Sequence, residues 1–546
     1  MKIALAQLNY HIGNFELNTQ KILDAIDRAA AQGADLVVFA ELSICGYPPK
    51  DFLDFTEFIQ LCDRSARTIA ARCTDIACII GLPTFNPAKE GKNLFNSAYF
   101  IEDGAVKAVV NKALLPTYDV FDEYRYFEPI TEFKCINFQG HRIALTICED
   151  LWNLADDPLY KHSPMDELIG QNPDLMINIA ASPFSYSHDE DRVKIFGENS
   201  AKYGLPLFYV NQVGSQTEII FDGGSMVFNE KGELLDEMAY FEEDLRVYEF
   251  ESGKVKGLEP VQHDAGNDIR QIHDALILGI RDYFGKSGFS KAVLGLSGGI
   301  DSAVVCALAA EALGAEQVMA VLMPSEYSTT HSVEDALALV KNLGCRHEII
   351  PIRDAVTAFE QMMRPAFGDL PPNVAEENIQ ARCRAVVVMA MSNKFGHILL
   401  NTSNKSECAV GYGTLYGDMA GAISVLGDVY KTQVYKLARY INRNREIIPE
   451  NSIVKPPSAE LRPGQKDSDS LPEYDLLDQI LYGHIELEKG LRELVEDGFD
   501  EALVRRILKM VNGAEFKRYQ TPPILRVSPK AFGPGRRMPI VGKYLY

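Results

Sequence analysis

Short apolar runs, each closed by a polar or charged residue and followed by a stretch of helical period, recur along this chain. Residues 2–8, 35–40, 76–81, 97–101, 105–111 and 142–147 are predicted strands, and 18–31 an amphipathic helix with Ile22, Leu23, Ile26, Ala29 and Ala30 on one face. Further on, 268–284 reads as a helix, 292–296 as a strand buried on both faces, 303–314 and 332–343 as helices, and 317–323, 348–352 and 397–401 as strands. That alternation predicts an open parallel sheet with right-handed crossovers. Between 251 and 267 the periodicity fades while Gly, Pro, Lys and acidic residues accumulate. The expected organisation is therefore a first domain over 1–250, a linker over 251–267 and a second domain over 268–546. Residues 456–475 carry Pro, Gly, Ser and charge with little apolar content, and are predicted as a mobile loop, read as a lid. Residues 518–546, with a Gly-Pro-Gly-Arg-Arg-Met-Pro run, read as an extended tail.

The strand of 292–296 leads into Ser297-Gly298-Gly299-Ile300-Asp301-Ser302 and then a helical pattern closed by Gly314. Small side chains and permissive backbone at 297–299 let successive N–H groups converge on a phosphate, and the helix N-terminus adds its positive end. No lysine follows these glycines, so the turn is not a Walker loop; Gly285-Lys286-Ser287 and the glycines of 411–417 have the wrong spacing for phosphate or dinucleotide fingerprints. A second polar cluster, 401–407, closes the strand of 397–401. Two such loops in one sheet imply one cleft. In it Asp301 and Glu407 are candidate Mg²⁺ ligands, since that hard cation takes carboxylate and phosphate oxygens, and Lys405 is a candidate to neutralise phosphate charge.

Three strand ends in the first half carry reactive groups: Glu41, Lys112 and Cys148. Cys148 is the expected nucleophile, Glu41 the base that takes its proton and returns it to a leaving amine, and Lys112 the cation that stabilises a tetrahedral oxyanion. Glu149-Asp150 after the cysteine reads as a helix N-terminus, whose dipole is expected to favour thiolate.

Composition narrows the setting. The chain has 546 residues, 47% hydrophobic and 24% charged, which are ordinary globular values and enough for two or more domains. A formal charge of −22 argues against a nucleic-acid partner. Ten cysteines without a CxxC pair nominate no zinc site and fit a reducing compartment. The N-terminus is too short in apolar length for a signal peptide and no run approaches about 18 apolar residues, so no membrane association and a cytoplasmic location are expected. In that compartment the Asn401-Thr402-Ser403 sequon has no glycosylation meaning.

The segments Glu41-Leu-Ser-Ile-Cys-Gly-Tyr-Pro, Asn111-Lys-Ala-Leu-Leu-Pro-Thr-Tyr-Asp-Val-Phe-Asp-Glu-Tyr-Arg-Tyr-Phe127 and Thr146-Ile-Cys-Glu-Asp-Leu-Trp152 resemble, in order and spacing, the nitrilase or carbon–nitrogen hydrolase superfamily over about residues 1–250. The resemblance implies a four-layer αββα sandwich and hydrolysis of a nonpeptide amide through a thioester. It gives Glu123 the place of a second acid that positions lysine and cysteine. The Val-Phe-Asp-Glu-x-Arg-Tyr-Phe signature is similar to the glutaminase domains of the glutamine-dependent NAD synthetase family, which implies that Tyr118, Glu149 and Ser182 contact glutamine. A basic residue common six positions after that serine is here His188, with Arg192 four further on; either is a candidate glutamine contact.

The turn Leu296-Ser-Gly-Gly-Ile-Asp-Ser302 resembles the pyrophosphate loop of the ATP-pyrophosphatase family. Glu377-Asn-Ile-Gln-Ala-Arg382, Thr402-Ser-Asn-Lys-Ser-Glu407, Gly411-Tyr-x-Thr-x-Tyr-Gly-Asp418 and Glu515-Phe-Lys-Arg-x-Gln520 extend the likeness to NAD synthetases across 268–546. What the resemblance implies there is an open parallel sheet flanked by helices, of the adenine-nucleotide α-hydrolase type. ATP would bind at Gly295, Leu296, Ser297, Gly298, Gly299, Ile300, Asp301, Ser302 and Thr402, and deamido-NAD at Asn378, Glu407 and Lys517. The expected substrates are thus ATP, deamido-NAD and glutamine or ammonia. Dimerised synthetase domains and an enclosed ammonia passage are further implications. Two other readings stay open: a different ATP-dependent glutamine amidotransferase, or an amidase fused to a nucleotide-sensing module.

Overall fold

The structure, a computed structural model, describes residues 1–154, 158–263 and 268–544. The chain forms two compact units, Met1–Gly266 and Asn267–Tyr546. Among the described residues no helix is long and apolar enough to cross a membrane.

The first unit is built on two sheets. One is seven-stranded, in the order Lys254–Lys256, Asp244–Glu251, Lys2–Gln7, Leu36–Phe39, Ala77–Phe85, Leu94–Glu102, Ala105–Asn111. The other is six-stranded, in the order Leu234–Glu237, Met226–Phe228, Leu207–Asn211, Leu175–Ala180, His141–Ile147, Ile136–Phe138. Lys2–Gln7 and Leu36–Phe39 pack on Leu207–Asn211, so the inner faces of both sheets share one apolar core. Helices Phe15–Ala31 and Thr56–Arg72 pack on the first sheet, Pro164–Leu168 and His188–Tyr203 on the second, completing the αββα layering. Phe15–Ala31 starts earlier than its apolar stripe indicates because the Asn14 side chain accepts from the Leu17 N–H and caps it.

The predicted linker needs correction at its start. Ser252 and Gly253, at φ 54° and 75°, make a tight turn that folds Lys254–Lys256 back onto Asp244–Glu251 as an edge strand. Its two lysines gave no apolar signal, as befits an edge. Residues 264–267 of the expected linker lie outside the described residues.

The second unit carries a five-stranded parallel sheet in the order Arg346–Ile349, Val318–Leu322, Ala292–Gly295, Ile398–Asn401, Ile423–Ser424. The edge strand sits two residues before its predicted place, exposed at all four positions, because an edge needs one neighbour and no two-sided apolarity. A separate helical core joins Lys405–Val410, Tyr474–Ile485 and Glu501–Gly513. The 456–475 segment holds one 3₁₀ turn, Asp467–Asp469, and begins helix Tyr474–Ile485. From 519 to 544 no helix or strand forms, yet Leu525 and Val527 are fully buried.

Candidate active sites

In the first unit, Glu41 follows Leu36–Phe39, Lys112 follows Ala105–Asn111 and Cys148 follows His141–Ile147. The fold brings all three together in the buried interior. Lys112 Nζ lies 2.7 Å from Glu41 Oε1 and 2.8 Å from Glu123 Oε1, with the ammonium fully excluded from solvent. Burial opposes its charge, but Glu123 and Glu41 outweigh it and raise its pKa well above that of a free lysine. Burial pushes the Glu123 carboxyl up, and Tyr47 Oη donates to it at 2.8 Å.

Cys148 has φ 45°, a left-handed backbone that non-glycine residues seldom adopt and that a sharp nucleophile-bearing turn imposes. Its turn is a four-residue 3₁₀ helix, Cys148–Leu151. Asp150 holds that turn against the lysine segment, accepting from the N–H groups of Ala113 at 3.1 Å, Leu114 at 2.9 Å and Ile147 at 3.0 Å. The expectation of a dipole-stabilised thiolate is overturned. Burial, reinforced by the charge of Glu41, pushes the thiol pKa well up against the pull of Lys112, so the resting group is a neutral thiol beside a base.

Sequence reasoning missed Asn96. Its Nδ2 donates to Glu41 Oε1 at 2.7 Å and reaches Glu123 Oε2 at 3.4 Å, while its main-chain carbonyl accepts from the Lys112 main-chain N–H at 2.8 Å. A buried asparagine at an inner-sheet position, where an apolar residue is expected, was the available signal.

Around the nucleophile, Tyr118 Oη donates to the Glu149 carboxylate, 3.0 Å from each oxygen, and Tyr160, unforeseen, is near enough to favour its charged form against burial. Ser182 Oγ and His188 Nε2 are 3.2 Å apart, with the Trp152 ring stacked on His188 at 4.9 Å. Arg192 is elsewhere engaged: fully buried, its guanidinium forks onto Asp222.

In the second unit, strand Ala292–Gly295 runs into the glycine turn and helix Ile300–Leu313. Gly298 is at φ 80°, and a Cβ there would stand 2.1 Å from the Ser332 carbonyl oxygen, so only glycine closes this turn. Ser302 Oγ donates to the Gly299 carbonyl and lies 3.1 Å from Ser297 Oγ, stiffening the loop from within. A cavity of about 310 Å³ opens over it, lined by Gly295, Leu296, Ser297, Gly299, Ile300, Asp301 and Ser302 and by Thr402 and Glu407 from the neighbouring strand end. Arg384, Glu460 and Leu461 also line it. Glu460 accepts from Ser332 Oγ at 2.6 Å and Thr329 Oγ1 at 3.1 Å, tying the 456–475 segment across the cavity.

Asp301 and Glu407 meet here around a residue the sequence reading passed over. Lys431 Nζ is 2.5 Å from Asp301 Oδ2 and 3.8 Å from Glu407 Oε1. Burial and then Asp301 push Glu407 up to about 8. A lysine buried in the first turn of helix Lys431–Ile441 opposes the helix dipole, which was the signal for a special role. Two converging carboxylates beside a phosphate loop suit a cation that also takes phosphate and water oxygens; among the described residues no group of three or more His, Cys, Asp or Glu converges as an all-protein metal cage.

Asn378 and Lys517 both grip the 411–417 turn: Asn378 Oδ1 accepts from Thr414 Oγ1 at 2.7 Å, and Lys517 Nζ donates to the carbonyls of Gly411 at 2.8 Å and Gly413 at 2.7 Å. Lys405 requires correction. It begins helix Lys405–Val410 and its ammonium turns away from the phosphate loop into the helical core, fully buried, 2.8 Å from Asp428 Oδ1 and bonded to Glu486, Ser528 Oγ and the Lys530 carbonyl. Those partners saturate it, so it is a structural cation.

The fold and these two sites define an enzyme that couples a carbon–nitrogen hydrolase to a nucleotide-binding synthase. The Carbon-nitrogen hydrolase family model matches residues 2–258 and the NAD synthase model residues 272–521. A glutamine-dependent NAD(+) synthetase of Synechocystis sp. is 46% identical, covering 98% of each chain, and that of Acinetobacter baylyi is 42% identical, covering 99% of this chain and 98% of its own. The solved glutamine-dependent NAD+ synthetase of Acinetobacter baumannii, in complex with ADP, superposes with a TM-score of 0.79 at 39% identity over 99% of this chain and 98% of that one. The chain belongs to the glutamine-dependent NAD(+) synthetase family.

Proposed function

We propose that this chain forms NAD⁺, AMP, pyrophosphate and L-glutamate from deamido-NAD⁺, ATP, L-glutamine and water. The observation that carries the reading is the pairing, in one chain, of a buried Glu41–Lys112–Cys148 set with a phosphate loop facing Asp301 and Glu407.

At the first site Glu41 takes the Cys148 proton as sulfur attacks the glutamine carboxamide carbon, and the Lys112 ammonium steadies the oxyanion. Collapse breaks the C–N bond, and Glu41 returns the proton to the departing ammonia. Water then attacks the thioester, releasing glutamate and restoring the thiol. Glu123, bonded to Lys112 and Tyr47, holds the lysine in place. Glu149 supplies negative charge for the substrate's α-ammonium with Tyr118 orienting it, and Ser182 with His188 offers polar contacts to the α-carboxylate.

At the second site a nicotinate carboxylate oxygen of deamido-NAD attacks the α-phosphorus of ATP, and pyrophosphate leaves into the N–H groups of 297–299 and the helix N-terminus. Ammonia attacks the acyl adenylate carbon, the C–O bond breaks and AMP departs. Mg²⁺, held by Asp301 and Glu407, would neutralise phosphate charge when bound. Thr402 lies at the same cavity for ATP, and Asn378 and Lys517 shape the turn beside it for deamido-NAD. The enzyme works in the cytoplasm as a homo-oligomer.

The test is one coupled assay. NAD⁺ and pyrophosphate should form only with ATP and deamido-NAD together, and with either glutamine or ammonium as nitrogen donor. Activity with XMP or aspartate instead of deamido-NAD, or none with any acceptor, overturns the reading.

A further inference from the structure

The end of the parallel sheet remote from the phosphate loop carries a second concavity. Lys291 directly precedes strand Ala292–Gly295, Glu316 and Gln317 lie in the turn before Val318–Leu322, Arg346 opens Arg346–Ile349, and His397 precedes Ile398–Asn401. Parallel pairing, with Ala292 beside both Val318 and Ile398 and Met319 beside Arg346, brings these starts to one edge, whereas the phosphate loop leaves the carboxyl end. Together with Val318 and Met319 they line a pocket of about 170 Å³.

Its electrostatics are one-sided. Among the described residues neither Lys291 nor Arg346 makes an ion pair, and Glu316 is the single acid of the lining. Burial, then the charges of Lys291 and Arg346, depress the His397 imidazole, which places all three groups within one another's field. The His397 Nδ1 is buried without a hydrogen-bond partner. In a chain with 76 acidic against 54 basic residues, neutralising partners for such cations are abundant, yet here the fold gathers basic groups around a hollow. Lys291 and Arg346 are solvent-exposed, so both heads are free to turn onto an anion, which would also give the unpartnered His397 Nδ1 a hydrogen bond.

We propose that this pocket is a second anion site, taking a small phosphate-bearing ion between Lys291, Arg346 and His397. Its volume is well below the roughly 300–1,000 Å³ of sites for larger organic ligands, so one or two phosphoryl groups fit and a dinucleotide does not. Inorganic phosphate and pyrophosphate share this chemistry, and the second is a product of the reaction proposed above, so its candidacy rests on that reading.

Calorimetric titration of the full chain tests this. Binding of a non-hydrolysable ATP analogue, measured first, reports on the phosphate loop separately. With the analogue saturating, sodium pyrophosphate and, in a second series, sodium phosphate should each still bind at one ion per chain. Lys291→Ala with Arg346→Ala should weaken that binding at least tenfold, leaving the analogue's affinity unchanged, and Lys291→Arg with Arg346→Lys should retain it. Tighter binding of pyrophosphate identifies the product as the natural ion, and tighter binding of phosphate identifies the free anion. Abolition of all binding by the analogue, or wild-type binding in the double alanine variant, refutes the site.

Discussion

The Asn96 side-chain amide donates to Glu41 Oε1 at 2.7 Å, and the same residue's main-chain carbonyl receives the Lys112 main-chain N–H at 2.8 Å. One asparagine thus sets the spacing between the proposed base and the proposed oxyanion cation. Asn96→Ala is expected to lower glutamine-supported kcat about tenfold to a hundredfold, because loss of fixed geometry carries penalties of that order. Ammonium-supported synthesis should be unaffected. The loss should fall on kcat rather than on the KM for glutamine, since the substrate contacts remain. An equal loss with ammonium argues for a purely structural role.

Cys148→Ala should abolish NAD⁺ formation from glutamine and preserve it with ammonium, as should Glu41→Gln, since the thiol is neutral at rest and needs a base. Loss with both nitrogen donors in a folded variant would show that the two sites are not chemically separable.

Asp301 faces Lys431 and Glu407 at the cavity. Asp301→Asn should eliminate NAD⁺ formation with either donor while some glutaminase activity persists, measured as glutamate release. Full synthesis in this variant would remove Asp301 from the phosphate chemistry.

Lys405 belongs to the helical core rather than to this cavity's lining. Lys405→Met leaves Asp428 and Glu486 buried without their cation, so a loss of about 3–5 kcal/mol in urea unfolding is expected. The KM for ATP of the folded fraction should change little. A large rise in KM with unaltered stability would restore a phosphate-binding role.

His273 predicts a pH effect. Burial alone would lower its pKa, but hydrogen bonds to Asp274 at 2.8 Å and Glu311 at 3.2 Å raise it to about 9. A raised folded-state pKa stabilises fully below the unfolded value of about 6.5, and that contribution disappears as pH climbs through 9. Both acids are partly exposed, which reduces the effect to about 1–2 kcal/mol. Urea unfolding of wild type should therefore lose stability between these limits more steeply than His273→Gln. Parallel curves would dismiss the linkage.

Much of this architecture was legible in local chemistry. Strand ends at Glu41, Lys112 and Cys148, and the strand–glycine–helix succession at 292–302, involve residues adjacent in sequence, and apolar period plus backbone requirement suffices to read them. The charge environment was not. Cys148 reads as a dipole-favoured thiolate until its burial beside Glu41 is known. Lys405 and Lys431 look alike as polar-flanked lysines; the former turns into the helical core and the latter faces Asp301. Asn96 and Lys291, Arg346 and His397 gain meaning only from partners brought by strand pairing. Local propensity depends on neighbours along the chain and so belongs to the sequence alone, whereas desolvation and Coulomb partners depend on neighbours in space, which only tertiary packing decides.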